Sequence, residues 1–200
     1  MKAIVQDRYG SPDVLALREI AMPAVAEDEV LVRVRAASAH PDVWHVLHGR
    51  PYVMRLAGLA LRRPRHAVPG IDVAAPEAAL AAKPERLSFL EAAAVPTSGL
   101  IALQGVQSQG RVQAGQSVLV NGAGGGVGTF AVQLAKAFGA HVTGVDVAAK
   151  LDMLAAIGAD RVIDPAREDF ARGRYDVIVD IPGTARSRTA CARSRPTART

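Results

Sequence analysis

Residues 118–129 read VLVNGAGGGVGT, and this stretch limits the possible fold more than any other part of the chain. A β-prone apolar run enters a glycine-rich turn and passes directly into a segment with helical spacing. Val127, Phe130, Ala131, Leu134 and Phe138 recur every three or four residues. That spacing predicts a helix over 126–138 with one apolar face, and Gly139 stands where a helix C-cap glycine belongs. The pattern then repeats. Residues 141–146, 161–164 and 176–181 read as strands, and residues 149–157 as a second helix stopped by Gly158. Strands alternating with helices at these lengths imply an α/β fold, a parallel sheet with helices packed on it.

The chemistry of the turn follows from its glycines. Gly125 would let backbone N–H groups approach a diphosphate, and Gly128 would let the helix lie close to the preceding strand. The amides of residues 125–128, at the positive end of the helix dipole, would face the anion, a contribution of about 0.3 to 2 kcal/mol. The usual G-x-G-x-x-G register ending at Gly128 puts Ala123 in the first glycine place. Gly122, Gly125 and Gly128 give G-x-x-G-x-x-G instead, with Gly124, Gly126 and Val127 between them. No Gly-Lys-Ser/Thr follows, which excludes an ATPase phosphate loop. The expected ligand is therefore a dinucleotide.

Asp146 ends the second strand, eighteen residues after Gly128, where a carboxylate would accept hydrogen bonds from an adenosine ribose. A 2′-phosphate about 4 Å away would be repelled by roughly 4 kcal/mol per charge pair at an effective dielectric of 20. Lys150, four residues on, would offset part of that if it points inward. The alternative is that Asp146 caps the next helix and Lys150 is a solvated surface lysine. Either coenzyme, NAD(H) or NADP(H), stays open.

Charge looks at first like a sign of nucleic-acid binding, with Lys+Arg 24 against Asp+Glu 19 and a pI near 9.9. Five arginines (186, 188, 193, 195 and 199) lie in residues 185–200, which contain no acid. Without them the balance is 19 against 19, so the body makes no electrostatic case for a polyanionic partner. Apolar stretches such as 56–61 fall far short of the ~20 residues a membrane helix needs. Asp7 and Arg8 come early and no apolar signal core follows, so the expected location is the cytoplasm. A single cysteine, Cys191, rules out an internal disulfide and a cysteine-rich zinc lobe. His40, His45, His48 and His66 lie within 27 residues, but their spacing fits no zinc pattern, and no metal is expected.

The N-terminal third reads as strand-rich. Residues 1–6 are β-prone, residues 10–13 form a Gly-Ser-Pro-Asp turn cluster, and the alternation in residues 28–35 predicts a half-exposed strand. Residues 53–61 carry one or two amphipathic turns among arginines.

Taken in order, MKAIVQDRYGSPDVL, EVLVRVRAASAHPDVWHVLHGRP, VPGIDVA, LSFLEAAAVPTSGLIALQ, VLVNGAGGGVGTFAVQLAKAFGAHVTGV, IGADRVID and YDVIVDIPG resemble the zinc-free, quinone oxidoreductase-like branch of the medium-chain dehydrogenase/reductase superfamily. The resemblance implies an incomplete GroES-like, β-rich substrate domain (1–96) and a partial Rossmann, doubly wound parallel sheet (97–184). It implies NAD(P)H as cofactor and hydride transfer to a quinone, enone or other carbonyl compound as activity. It also implies Gly122, Ala123, Gly124, Gly125, Gly126, Val127, Gly128, Asp146 and Lys150 as cofactor contacts. Homo-oligomers are common in the family. Where the branch usually has Asn-Pro-x-Asp-Trp, this chain has His40-Pro41-Asp42-Val43-Trp44. Trp44 is thus a pocket wall or a core indole, and His40 a candidate proton donor, but the pattern assigns no catalytic residue.

Two departures from the family pattern stand out. After residues 68–74 the chain passes straight to Ala75-Pro76-Glu77, which omits roughly 45 to 50 residues of the family pattern and would leave unpaired strand edges. After Gly183 it gives TARSRTACARSRPTART, where two further sheet strands belong. That tail has no large aliphatic or aromatic side chain and is expected to be disordered. Its composition is what GC-rich codons yield out of frame, which suggests a frameshift with an early stop; the alternative to the oxidoreductase is then a catalytically inactive remnant with at most weak dinucleotide binding.

Overall fold

The computed structural model describes residues 1–22, 24, 30–38, 42–50, 52, 63–64, 67–68 and 81–182. His40, His66, the 74/75 junction, the turns expected in 53–61 and the arginine-rich tail all lie outside the described residues. The chain divides into two compact units, Met1–Ala94 and Val95–Thr200.

In the first unit, β1 (Lys2–Gln6) pairs antiparallel with β2 (Leu15–Glu19), and Ile4 lies opposite Leu17. Between them Pro12–Val14 makes one 3-10 turn, where the Gly-Ser-Pro-Asp cluster predicts a reversal. α1 (Asp42–His48) is ended by Gly49 in the left-handed region, φ +59°. α2 (Phe89–Ala94) starts with Ser88 and Glu91 bonded to each other's side chain and backbone, a capping box. The strand expected over residues 28–35 does not form across 30–35. Leu31, Val32 and Val34 are exposed there. Alternation alone does not make a strand without a ladder partner, and the described residues supply none.

The second unit opens with α3 (Pro96–Leu103), continued by one wider, i→i+5-bonded turn at Gln104–Gln109. Then follow β3 (Ser117–Asn121), α4 (Gly126–Ala137), β4 (His141–Val145), α5 (Leu151–Ala156), β5 (Arg161–Ile163) and β6 (Val177–Asp180). All four strands are parallel, in the order β5-β4-β3-β6. In chain order this is 3-2-1-4, the first four strands of the 3-2-1-4-5-6 order of a dinucleotide-binding sheet. Gly139 (φ +80°) and Gly158 (φ +105°) end the two helices in the left-handed conformation the sequence led us to expect.

The period-two pleat sorts the strands' side chains between two cores. Val118, Val120, Val142 and Val177 face one side with Ala131, Val132 and Ala135 of α4 and Leu154 of α5. Leu119, Val145, Ile163 and Ile178 face the other, covered by Phe170, Ala171 and Tyr175. Both faces are thus dry, which is why the strands read as continuous apolar runs. Each fully buried Val, Leu or Ile contributes about 1.5 to 3 kcal/mol. Among the described residues, no helix is long and apolar enough to cross a membrane.

Candidate functional site

The carboxyl ends of β3 and β6 meet at the one place where chain order reverses across the sheet. Ligands of open α/β sheets sit outside such a switch point. The turn after β3 fills this position, and its backbone is fixed from two sides. Gly122 takes φ +77°. Its amide and that of Ala123 both donate to the carbonyl oxygen of Val145 at 3.0 Å, which ties the turn to β4. On the other side the Cβ that Gly122 lacks would lie 3.1 Å from Pro182 Cδ, just past β6.

Steric space separates the roles of the glycines. A Cβ on Gly128 would come within 2.2 Å of Gly122 O and 2.6 Å of Ala123 Cα and carbonyl carbon. These are backbone atoms, so the close approach of α4 to the turn requires glycine. At Gly125 the nearest atom would be Gly122 O at 3.4 Å. The protein itself therefore does not demand a glycine there; the open space is a cradle that a side chain would partly fill. The departure at Ala123 is also resolved. The turn's left-handed residue is Gly122, one place earlier, and Ala123 is buried with its methyl beside Gly144 of β4.

The expectation that amides 125–128 all face outward needs one correction. The Gly125 amide donates to Gly122 O at 3.1 Å, closing the turn. Those of Gly126, Val127 and Gly128, the first three of α4, have no backbone acceptor among the described residues, while Thr129 makes the first bond, to Gly125 O at 2.9 Å. Free amides at a helix N-terminus bind anions through both hydrogen bonds and the helix dipole.

Asp146 is neither a simple helix cap nor a free acceptor. Its Oδ2 accepts from the Gly124 amide at 2.8 Å, and its Oδ1 accepts from the Val147 amide at 2.8 Å. Lys150 Nζ lies 3.4 Å from Oδ1. A Cβ on Gly124 would come 2.4 Å from Lys150 Cδ, so the lysine stem lies over the turn. All nine sequence-nominated residues are brought together here. Sequence reasoning missed Asn121 and Asp180, which pair across the switch point in register, Asn121 Nδ2 donating to Asp180 Oδ1 at 2.9 Å. Each is the last residue of its strand, and that position was the available signal.

In the first unit, Trp44 is 50% exposed and stacks on His48 with ring centroids 4.3 Å apart. The core-indole alternative is therefore corrected. His45 Nδ1 and His48 Nδ1 are bonded to the carbonyl oxygens of Arg50 and Trp44. Among the described residues, no three His, Cys, Asp or Glu side chains gather as a metal site.

A family model described as zinc-binding dehydrogenase matches residues 126–199, from the start of α4 into the arginine-rich segment. The spinach (Spinacia oleracea) chloroplastic quinone-oxidoreductase homolog is 32% identical over 221 aligned positions, covering 90% of this chain and 67% of that protein. The quinone oxidoreductase of Thermus thermophilus, solved alone and with NADPH, is 30% identical at a TM-score of 0.73, covering 92% of this chain and 68% of that one. The chain belongs to the medium-chain dehydrogenase/reductase superfamily, in its quinone oxidoreductase-like branch. A further superfamily relative, tomato (Solanum lycopersicum) 2-methylene-furan-3-one reductase, is 32% identical over 231 positions, covering 92% of this chain and 57% of the tomato protein. The chain thus spans between 57% and 67% of these two curated relatives. Since 92% of 200 residues is about 184, some 47 of the 231 aligned positions have no residue from this superfamily member.

Proposed function

We propose that this chain holds a nicotinamide dinucleotide with its diphosphate on the free amides of Gly126, Val127 and Gly128. The carrying observation is that these three amides lack backbone acceptors among the described residues, beside a switch point whose closeness depends on Gly128. Gly125 leaves room for the diphosphate and the Gly124 amide is kept out of the way by Asp146. The Asp146–Lys150 pair offers the adenosine end a hydroxyl acceptor and a cation together, so both NADH and NADPH are accepted. When bound, the cofactor supplies a hydride, and the substrate class is a quinone, enone or related carbonyl compound. The Asn121–Asp180 bond joins the ends of β3 and β6 at the crevice.

A second reading, dinucleotide binding without turnover, is favoured by the some 47 aligned positions this chain leaves unfilled. Calorimetric titration with NADH and NADPH tests the first claim, which fails if neither binds. NADPH oxidation with a panel of quinones and enones separates the two readings, since binding without oxidation leaves only the second.

A further inference from the structure

The starts of α3 and α4, both in the second unit, adjoin one another. Ser98 is the third residue of α3 and Gly126 the first of α4. A Cβ on Gly126 would come 2.9 Å from Ser98 Oγ but 3.7 Å from Ser98 Cβ. The hydroxyl is therefore the end of Ser98 turned toward the start of α4, and the missing side chain at 126 leaves it room. Ser98 is only 5% exposed, yet neither its backbone amide nor its hydroxyl has an acceptor among the described residues. A serine inside a helix can bond the carbonyl oxygen four residues back. Here that residue is Ala94, the last of α2, and it receives nothing from Ser98. The first backbone bond of α3 is made one place later, by the Gly99 amide to Val95 O at 2.7 Å.

A hydroxyl withdrawn from bulk water without a partner is unfavourable, and each such group calls for an explanation. Unlike Gln6 Oε1, which is unpaired and wholly enclosed, the Ser98 oxygen keeps some accessible surface, so a ligand atom can reach it. What lies beside it is the row of free amides at Gly126, Val127 and Gly128. Every one of these groups is a donor, and the positive end of α3 adds to that of α4. We propose that Ser98 is a diphosphate-binding residue, its hydroxyl donating to a phosphate oxygen of the dinucleotide held on the first amides of α4. The assignment rests on the dinucleotide reading above and adds to it a side-chain donor from a second helix. A hydroxyl-to-phosphate bond is charge-assisted and forms only when the ligand arrives. The diphosphate is common to NADH and NADPH, so the contribution is the same for both.

The test is calorimetric titration of the full chain and of Ser98→Ala with NADH and NADPH, together with urea denaturation of both proteins free of coenzyme. Affinity is expected to fall about tenfold for each coenzyme. The denaturation midpoint is expected to stay the same or rise, because the hydroxyl removed had no partner in the free protein. A serine with a merely structural role would give the opposite pattern, lower stability at unchanged affinity. Gly126→Ala is the second variant. Its methyl would displace the hydroxyl, so it is expected to weaken both coenzymes in the parent chain. In a Ser98→Ala background it is expected to add little, since the nearest atom is then the residue 98 Cβ at 3.7 Å. If Ser98→Ala binds both coenzymes as tightly as the parent, the Ser98 assignment is overturned and the dinucleotide reading stands. If the parent chain binds neither coenzyme, both fall.

Discussion

The Cβ that Gly128 lacks would sit 2.2 Å from the carbonyl oxygen of Gly122. One hydrogen atom in place of a methyl therefore sets the distance between α4 and the turn that precedes it. Gly128→Ala must move backbone. It is expected to cost about 1 to 3 kcal/mol, as overpacking does, and to reduce dinucleotide affinity in parallel. Urea denaturation and NADH titration of the variant check both effects. Gly125→Ala, with its nearest atom at 3.4 Å, is expected to leave stability near that of the parent chain and to lose affinity alone. Equal stability losses in the two variants would contradict this division of roles.

Lys150→Ala removes a cation 3.4 Å from Asp146 while leaving the carboxylate bonded to the turn. NADPH affinity is expected to fall about fivefold, an effect of roughly 1 kcal/mol for a half-exposed charge. NADH affinity is expected to stay the same. Parallel titrations with the two coenzymes measure the difference, and an equal change in both would remove Lys150 from coenzyme choice.

Asn121 is buried and donates to Asp180 across the β3–β6 seam. Asn121→Ala leaves that carboxylate oxygen without its partner, a loss of about 1 to 2 kcal/mol. Asp180→Asn keeps an acceptor oxygen at the same place and is expected to be much milder. Chemical denaturation midpoints of the two variants give the comparison.

Asp160 ties α4 to β4. Lys136 Nζ lies 2.7 and 2.9 Å from its two oxygens, and the Val142 amide donates to Oδ2 at 2.6 Å. Burial works to raise its pKa, but the Lys136 ammonium and the Val142 amide outweigh it and hold the carboxyl below its ordinary value of 3.8. A depressed carboxyl stabilises the fold above the unfolded-chain value and stops doing so as pH falls through the lower folded value. Asp160→Asn is therefore expected to be less stable than the parent at pH 7, with the gap closing as pH drops below about 4. Thermal unfolding at a series of pH values checks the convergence.

The sheet unit was legible because its physics is local. The period of α4, the stop glycines at 139 and 158 and the dry strands each carry their own signal within a few residues. The strand expected over residues 28–35 shows the limit, since alternation reports a half-exposed surface but says nothing of a partner. β2 was missed for the converse reason: Leu15–Glu19 is five residues long and exists through its register with β1. α2 and α3 were missed in an alanine- and threonine-bearing stretch with a proline between them, where no apolar period stands out. At the site, residue types and positions were readable but the pairing of amides was not. That Gly125 gives its N–H to Gly122 O is a property of the closed turn. That the methyl of Ala123 lies beside Gly144 depends on two strands meeting in one register.

The strand order also decides which part of the sheet can fray. β3 is bonded on both flanks, to β4 and β6, whereas among the described residues β5 and β6 are each bonded on one. The crevice therefore opens beside the strand that has to give way last, and a molecule landing there leans on the most protected backbone of the unit. Amide hydrogens of Val118, Leu119 and Val120, all fully buried, are the ones whose exchange reports global opening, while those of β5 exchange through peeling of the rim. A diphosphate held as proposed would keep its grip through local breathing of β5, two strands away from the crevice.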